Sequence, residues 1–296
     1  MNVNKVLMGG VIGILLLGAG EIGLRLYGFG RMPLYYASDE YEYMSCPNQD
    51  GRRFGNHYHY NSYSQRSDEP DSTKRIILGL GDSVIYGGIR VDQDSLATSL
   101  FTKETGMQML NISAGSWGPD NCAAYLKKFG TFKAKAIFLV VSSHDAHDIM
   151  DFQPVVGVHP SYPNKQYPLA IVEVWDRYVK PRIFKKKKMD PDQQVAQGIR
   201  KSGVGFNPGF DKLKAIAAEK NIPLFIYLHA EQSELQAGEY NDQGQEIIHW
   251  AIGNNVPLIR ELDYHFTASD YQDAIHLNAS GQRKLADVMK ETIRIN

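Results

Sequence analysis

The apolar positions of this chain change their rhythm twice. Val6 to Gly20 carries no charged residue, and apolar character resumes from Ile22 to Leu26 around Glu21 and Arg25. Residues 30–74 are rich in Tyr, Asn, Ser and Arg and show no long apolar period, which predicts an irregular lead-in. From Arg75 onward short apolar runs alternate with helical spacing. Strands are predicted at Ile76–Leu80, Met109–Ile112, Ala136–Val141, Pro223–Leu228 and Pro257–Leu262. Between them, Leu96, Leu100 and Phe101 mark a helix over 94–105 that Gly106 closes. Pro119 opens a helix that runs to Phe129 and stops at Gly130. Further helices are expected over 210–220 and 242–253. A last one, over 280–293, has Leu285, Val288, Met289 and Ile293 on one face.

Continuous apolar strands alternating with helices predict an α/β protein: a three-layer α/β/α sandwich on a parallel five-stranded, flavodoxin-like sheet. The expected layout is an N-terminal hydrophobic helix over residues 1–29, the lead-in over 30–74 and a catalytic-size domain over 75–296. Phe152–Gly205 breaks the rhythm as an insertion, a candidate lid. Its run Lys185–Lys188 reads as a solvated face, with contact to an anionic polymer or lipid headgroups as the sharper alternative.

The uncharged N-terminal run lies between a signal-peptide core and a full membrane span in length. It is expected to act as an uncleaved membrane anchor, with the domain outside the cytoplasm; secretion after signal cleavage is the alternative. Among 296 residues, 43% hydrophobic and 22% charged content are ordinary for a globular domain, and a net charge of −1 argues against nucleic-acid binding. Cys46 and Cys122, the two cysteines, are a candidate disulfide in an oxidising compartment. His57 and His59 have the spacing of a metal pair but read better as surface histidines among tyrosines.

Candidate chemistry sits at two strand ends. Leu78-Gly79-Leu80-Gly81-Asp82-Ser83-Val84 places a serine at the turn after the first predicted strand. Asp273-Ala274-Ile275-His276 puts a carboxylate three residues before a histidine, just ahead of the last helix. Ser83 as nucleophile, His276 as base and Asp273 as the group that orients the base are the parts acyl transfer needs at neutral pH. Both motifs fall where an open parallel sheet gathers reactive groups.

Taken together, the stretch Arg75–Gly87, the stretch Asn111-Ile-Ser-Ala-Gly-Ser-Trp-Gly118 and the stretch Asp273-Ala-Ile-His-Leu-Asn278 resemble the GDSL or SGNH hydrolase family from about Asn61 to the C-terminus. The resemblance implies an oxyanion hole of three donors. They are the Ser83 N–H, a glycine N–H that falls here on Ser116, and an asparagine side chain whose position His144 occupies. Gly115 or Gly118 would supply the second donor if the loop shifts. The departures at Ser116 and His144 leave those two donors open, since His144 could serve the oxyanion or do something different.

The implied activity is a serine ester hydrolase working through an acyl-enzyme on an acylated small molecule or polysaccharide, without cofactor or metal. Transfer of the acyl group to a sugar hydroxyl uses the same serine. Rival readings are a nucleophile at Ser116, metal chemistry in His144-Asp145-Ala146-His147-Asp148, and a carbohydrate-binding or assembly protein without catalysis. Dinucleotide binding is weaker, because Val84 stands where the third glycine of Gly-x-Gly-x-x-Gly belongs.

Overall fold

A computed structural model describes residues 3–184, 201 and 203–294. The lysine run Lys185–Lys188 lies outside the described residues. The chain starts with α1 (Val3–Tyr27), one helix long and apolar enough to cross a membrane; its Leu7–Tyr27 stretch has a mean hydropathy of 1.9.

Residues 61–74 are irregular as expected, but residues 35–60 are not. They build two antiparallel hairpins, β1 (Tyr35–Ser38) with β2 (Glu42–Ser45) and β3 (Gln49–Arg53) with β4 (Asn56–Tyr60). Tyr58 and Tyr60 face inward between the half-buried His57 and His59, so tyrosine supplies the alternation that aliphatic residues give elsewhere.

The sheet follows as β5 (Ile76–Gly81), β6 (Gln108–Ser113), β7 (Ile137–Ser142), β8 (Leu224–His229) and β9 (Leu258–Arg260). All neighbours pair in parallel, in the order β6-β5-β7-β8-β9. This is the predicted flavodoxin-like order, with the direction of winding reversing at β5. The intervening helices are α2 (Ser83–Tyr86), α3 (Ala97–Thr105), α4 (Pro119–Phe129), α5 (Ala170–Val174), α6 (Lys180–Ile183), α7 (Gly209–Lys220), α8 (Gln232–Ala237), α9 (Asp242–Gly253) and α10 (Ala279–Arg294).

Side chains alternate across the sheet. Leu78, Leu80, Ile112, Leu139, Ile226 and Leu228 pack with Tyr125 and Leu126 of α4, Phe210 and Leu213 of α7 and Ile247 of α9. Ile77, Met109, Phe138, Val140 and Tyr227 pack on the other face with Phe101 of α3 and with Leu285, Val288, Met289 and Ile293 of α10. Both faces are therefore covered, which is why the strands read as unbroken apolar runs.

The fifth strand is shorter than predicted. A 3-10 turn at Glu261–Asp263 ends it, because the Glu261 carboxylate turns inward to Tyr227, His229 and Tyr271. Cys46 and Cys122 are not joined, contrary to the disulfide considered from sequence; Cys122 is buried under the sheet and Cys46 sits on the lead-in.

The insertion after β7 docks on the lead-in rather than hanging free. Tyr35 N–H donates to Pro163 O (2.8 Å), and Gln166 exchanges two hydrogen bonds with the Met32 backbone. Glu173 of α5 forms a fully buried ion pair with Arg53 of β3, whose guanidinium also reaches Gly28 O (2.9 Å) and Arg31 O (3.0 Å). A buried pair of this kind is expensive to break from one side, about 3–5 kcal/mol. It locks hairpin, insertion and the exit of α1 together.

Candidate active site

Ser83 sits where it does because of two local devices. At Gly81 the backbone takes φ +153°, and a Cβ there would lie 2.4 Å from Val140 O, so only glycine lets β5 turn this close to β7. Asp82 then caps α2, its Oδ1 accepting the Val84 N–H at 2.8 Å. Ser83 is the first residue of that helix, so its own N–H is one of the donors a helix start leaves without an intrahelical partner. Behind it, Arg66 from the lead-in fixes the far end of α2 by donating to Tyr86 O (2.7 Å), Gly88 O and Val91 O (2.9 Å).

The histidine loop between Tyr271 and Asn278 is equally braced. Gln272 N–H donates to His276 O (2.9 Å), and Gln232 N–H to Ala274 O (2.8 Å). The Asp273 carboxylate accepts the backbone N–H groups of Ile275 (3.2 Å) and His276 (2.9 Å), and the His276 ring Nδ1 at 2.8 Å. His276 Nε2 lies 3.0 Å from Ser83 Oγ. Residues 193 positions apart thus meet within hydrogen-bond reach. Partial burial pushes the Asp273 carboxyl pKa up, but the His276 backbone N–H and ring outweigh it and hold the group below its usual range. An ionised Asp273 fixes the proton on Nδ1 and leaves the Nε2 lone pair facing the serine.

Ser116 follows β6 with φ +56°, the left-handed conformation that a glycine adopts without strain. Tyr43 O–H holds the turn by donating to Gly115 O (2.9 Å). Gly118 is removed as an alternative donor, because its N–H is spent on Asn121 Oδ1 (2.9 Å) at the start of α4.

His144, directly after β7, lies among carboxylates. Its Nδ1 is 3.2 Å from Glu231 Oε1 and its Nε2 3.9 Å from Asp82 Oδ2. Burial pulls its pKa down, but the Glu231 hydrogen bond and the charges of Asp145, Asp82 and Asp148 outweigh it and push it up to about 10. These contacts favour the charged ring, in which both nitrogens donate. Asp145 is pulled both ways: burial and the neighbouring Asp82 raise its pKa well above the carboxylate range while the His144 ring lowers it, so the charges of Asp145 and His144 depend on each other. Asp82, His144 and Asp145 each offer a ligand atom within 4.8 Å of the others and are the metal-type grouping among the described residues. His147 turns away to Glu246 (3.0 Å), and His57 and His59 both bond Asp50 Oδ2 at 3.0 Å on the β3–β4 hairpin, away from this cluster.

Sequence reasoning missed His229. It is fully buried at the end of β8, with Nδ1 2.6 Å from Glu261 Oε2 and Nε2 2.7 Å from Ile275 O, the carbonyl next to His276. It ties the sheet to the histidine loop. Burial opposes its protonation, yet Glu261 and the Ile275 carbonyl raise its pKa. The available signal was a lone polar residue closing an otherwise apolar strand. Glu231 was missed as well; nothing in its sequence neighbourhood distinguishes it from a surface carboxylate.

No protein-family model matches the chain, and no curated protein matches it. Among solved structures, a protein described as lipolytic and of the G-D-S-L family, from Desulfitobacterium hafniense, is 11% identical, with 74% of this chain and 99% of that one covered and a TM-score of 0.43. A lipase/acylhydrolase from Enterococcus faecalis is 13% identical over 74% of this chain and 95% of its own (TM-score 0.43). TesA is 12% identical over 74% and 98% (TM-score 0.46). The chain is similar to G-D-S-L-type hydrolases of known structure. What its site can do rests on its own atoms.

Proposed function

We propose that this chain is a serine esterase or acyltransferase of the GDSL/SGNH type. The observation that carries the reading is the continuous hydrogen-bonded line from Asp273 through His276 to Ser83 Oγ. In the first step Ser83 Oγ attacks an acyl carbonyl carbon while His276 Nε2 takes its proton. The proton then passes to the departing alcohol and an acyl-serine remains. The oxyanion formed on attack is served by the Ser83 and Ser116 N–H groups and by the His144 ring, a cation where a neutral amide would otherwise stand. A second hydroxyl, from water or from a sugar, then attacks the acyl carbon as it gives its proton to His276; the bond to Ser83 Oγ breaks, and His276 returns that proton to the serine.

Our reading of the substrate is an O-acylated carbohydrate outside the cytoplasm, with α1 as the membrane anchor. Support comes from the apolar length of α1 and from the side chains of His276 and Asp273, which remain 36% and 41% exposed, open enough for a polymer chain. The test is acetate release from p-nitrophenyl acetate and from an acetylated glycan, each with and without a sugar acceptor. Release that disappears in Ser83→Ala supports the assignment, and acetyl appearing on the acceptor selects transfer. A folded protein that turns over no ester contradicts it.

A further inference from the structure

The uncharged part of α1, Val6–Gly20, is fifteen residues long. At about 1.5 Å per residue it covers roughly 22 Å, short of the roughly 30 Å of bilayer hydrocarbon. The apolar surface continues beyond it: Ile22, Leu26 and Tyr27 are 61%, 85% and 60% exposed. The whole stretch Leu7–Tyr27, 21 residues, reaches roughly 31 Å and matches the bilayer. Only Glu21 and Arg25 stand against burying it, and both are already satisfied. They pair with each other at 2.6 Å; the Glu21 carboxylate also accepts the Ala170 and Ile171 N–H groups (2.8 and 3.0 Å), and Arg25 donates to Pro168 O (2.8 Å).

Those partners belong to the start of α5, so sinking α1 to its full apolar length draws that helix down to headgroup depth. The stretch from Leu169 to Phe184, helical over Ala170–Ile183, carries the side chains such a position requires. Leu169, Trp175, Ile183 and Phe184 are between 46% and 64% exposed; the exposed charges among them are Lys180, which pairs with Asp176 at 3.8 Å, and Arg182, a net positive charge. Aromatic and aliphatic side chains mixed with basic ones mark helices that lie in the membrane interface.

We propose that the stretch from Leu169 to Phe184 is a membrane-surface element. It is seated in the headgroup layer of an anionic phospholipid bilayer beside α1 and fixes how the domain stands on the membrane. This rests on the reading of α1 as an anchor, and the test separates the two. The full chain is reconstituted in vesicles of phosphatidylethanolamine and phosphatidylglycerol, with ordinary or brominated acyl chains. The chain floats with both vesicle types. Brominated lipid quenches a blue-shifted tryptophan emission, and that quenching is lost in Trp175→Phe, whose circular dichroism matches the parent. Chain that floats without quenching, or quenching that persists unchanged in Trp175→Phe, overturns the surface element alone. Chain that fails to float overturns the anchor and this inference with it.

Discussion

Replacing His144 tests how this site handles the negative charge of the transition state. The His144 ring is held by Glu231 at 3.2 Å with Asp82, Asp145 and Asp148 around it, and the proposed function gives it the oxyanion-donor role that the resemblance assigns to a neutral amide. Loss of one oxyanion donor costs about 3–4 kcal/mol, so His144→Ala should lower kcat by roughly 150- to 1000-fold while KM changes little. His144→Asn restores a neutral donor and should recover most of that loss. The two variants also separate charge from hydrogen bonding in their pH profiles. Because the pKa of His144 is raised to about 10, its contribution is complete at neutral pH and lost as pH rises through about 10. The parent enzyme should therefore lose activity at that alkaline edge, whereas His144→Asn should not. The same sign governs folding: stability gained from the charged ring is present below its unfolded pKa of about 6.5 and disappears above the folded value. The assay is p-nitrophenyl acetate turnover from pH 6 to 10.5, on protein whose folding is followed by circular dichroism. A His144→Ala variant that stays folded and keeps kcat within threefold of the parent would refute the role.

Other substitutions follow from the same contacts. Asp273→Asn keeps the shape of the loop but removes the charge that steadies the His276 imidazolium; kcat should fall by about 10⁴-fold, with little loss in thermal melting. His229→Ala leaves Glu261 buried without its cationic partner and frees Ile275 O. Urea unfolding should show a loss of about 3–5 kcal/mol, largest below the ordinary imidazole pKa and shrinking as pH rises through the raised folded value. Ser116→Gly relieves a left-handed serine and should preserve activity while changing stability by no more than about 1 kcal/mol. Ser116→Ala should also keep activity, since only the backbone N–H is used, and its inactivity would restore Ser116 as nucleophile.

The sheet and the pair Ser83–His276 were legible because each has a strong local sign: unbroken apolar runs, a glycine-lined turn, and a histidine just ahead of an amphipathic helix. The two hairpins were not, since their inward side chains are tyrosines and the tight turn of the second uses Phe54 and Gly55, both at positive φ, in place of an Asn-Gly pair. Nor was the lock between Arg53 and Glu173, which joins residues 120 positions apart and leaves no local pattern. His229 and Glu231 gain their meaning only from what the ends of neighbouring strands bring next to them. Although β5 and β9 lie far apart in sequence, parallel winding makes their ends face the same edge, which is why the meeting of Ser83 and His276 could be expected from the strand pattern.

The most direct test of the account is covalent labelling of the intact protein by a fluorophosphonate, with the modified residue located by mass spectrometry. The account predicts a single adduct on Ser83, formed at least a hundredfold more slowly in His276→Ala. Label on another serine, or an equal rate of Ser83 labelling without His276, would contradict it.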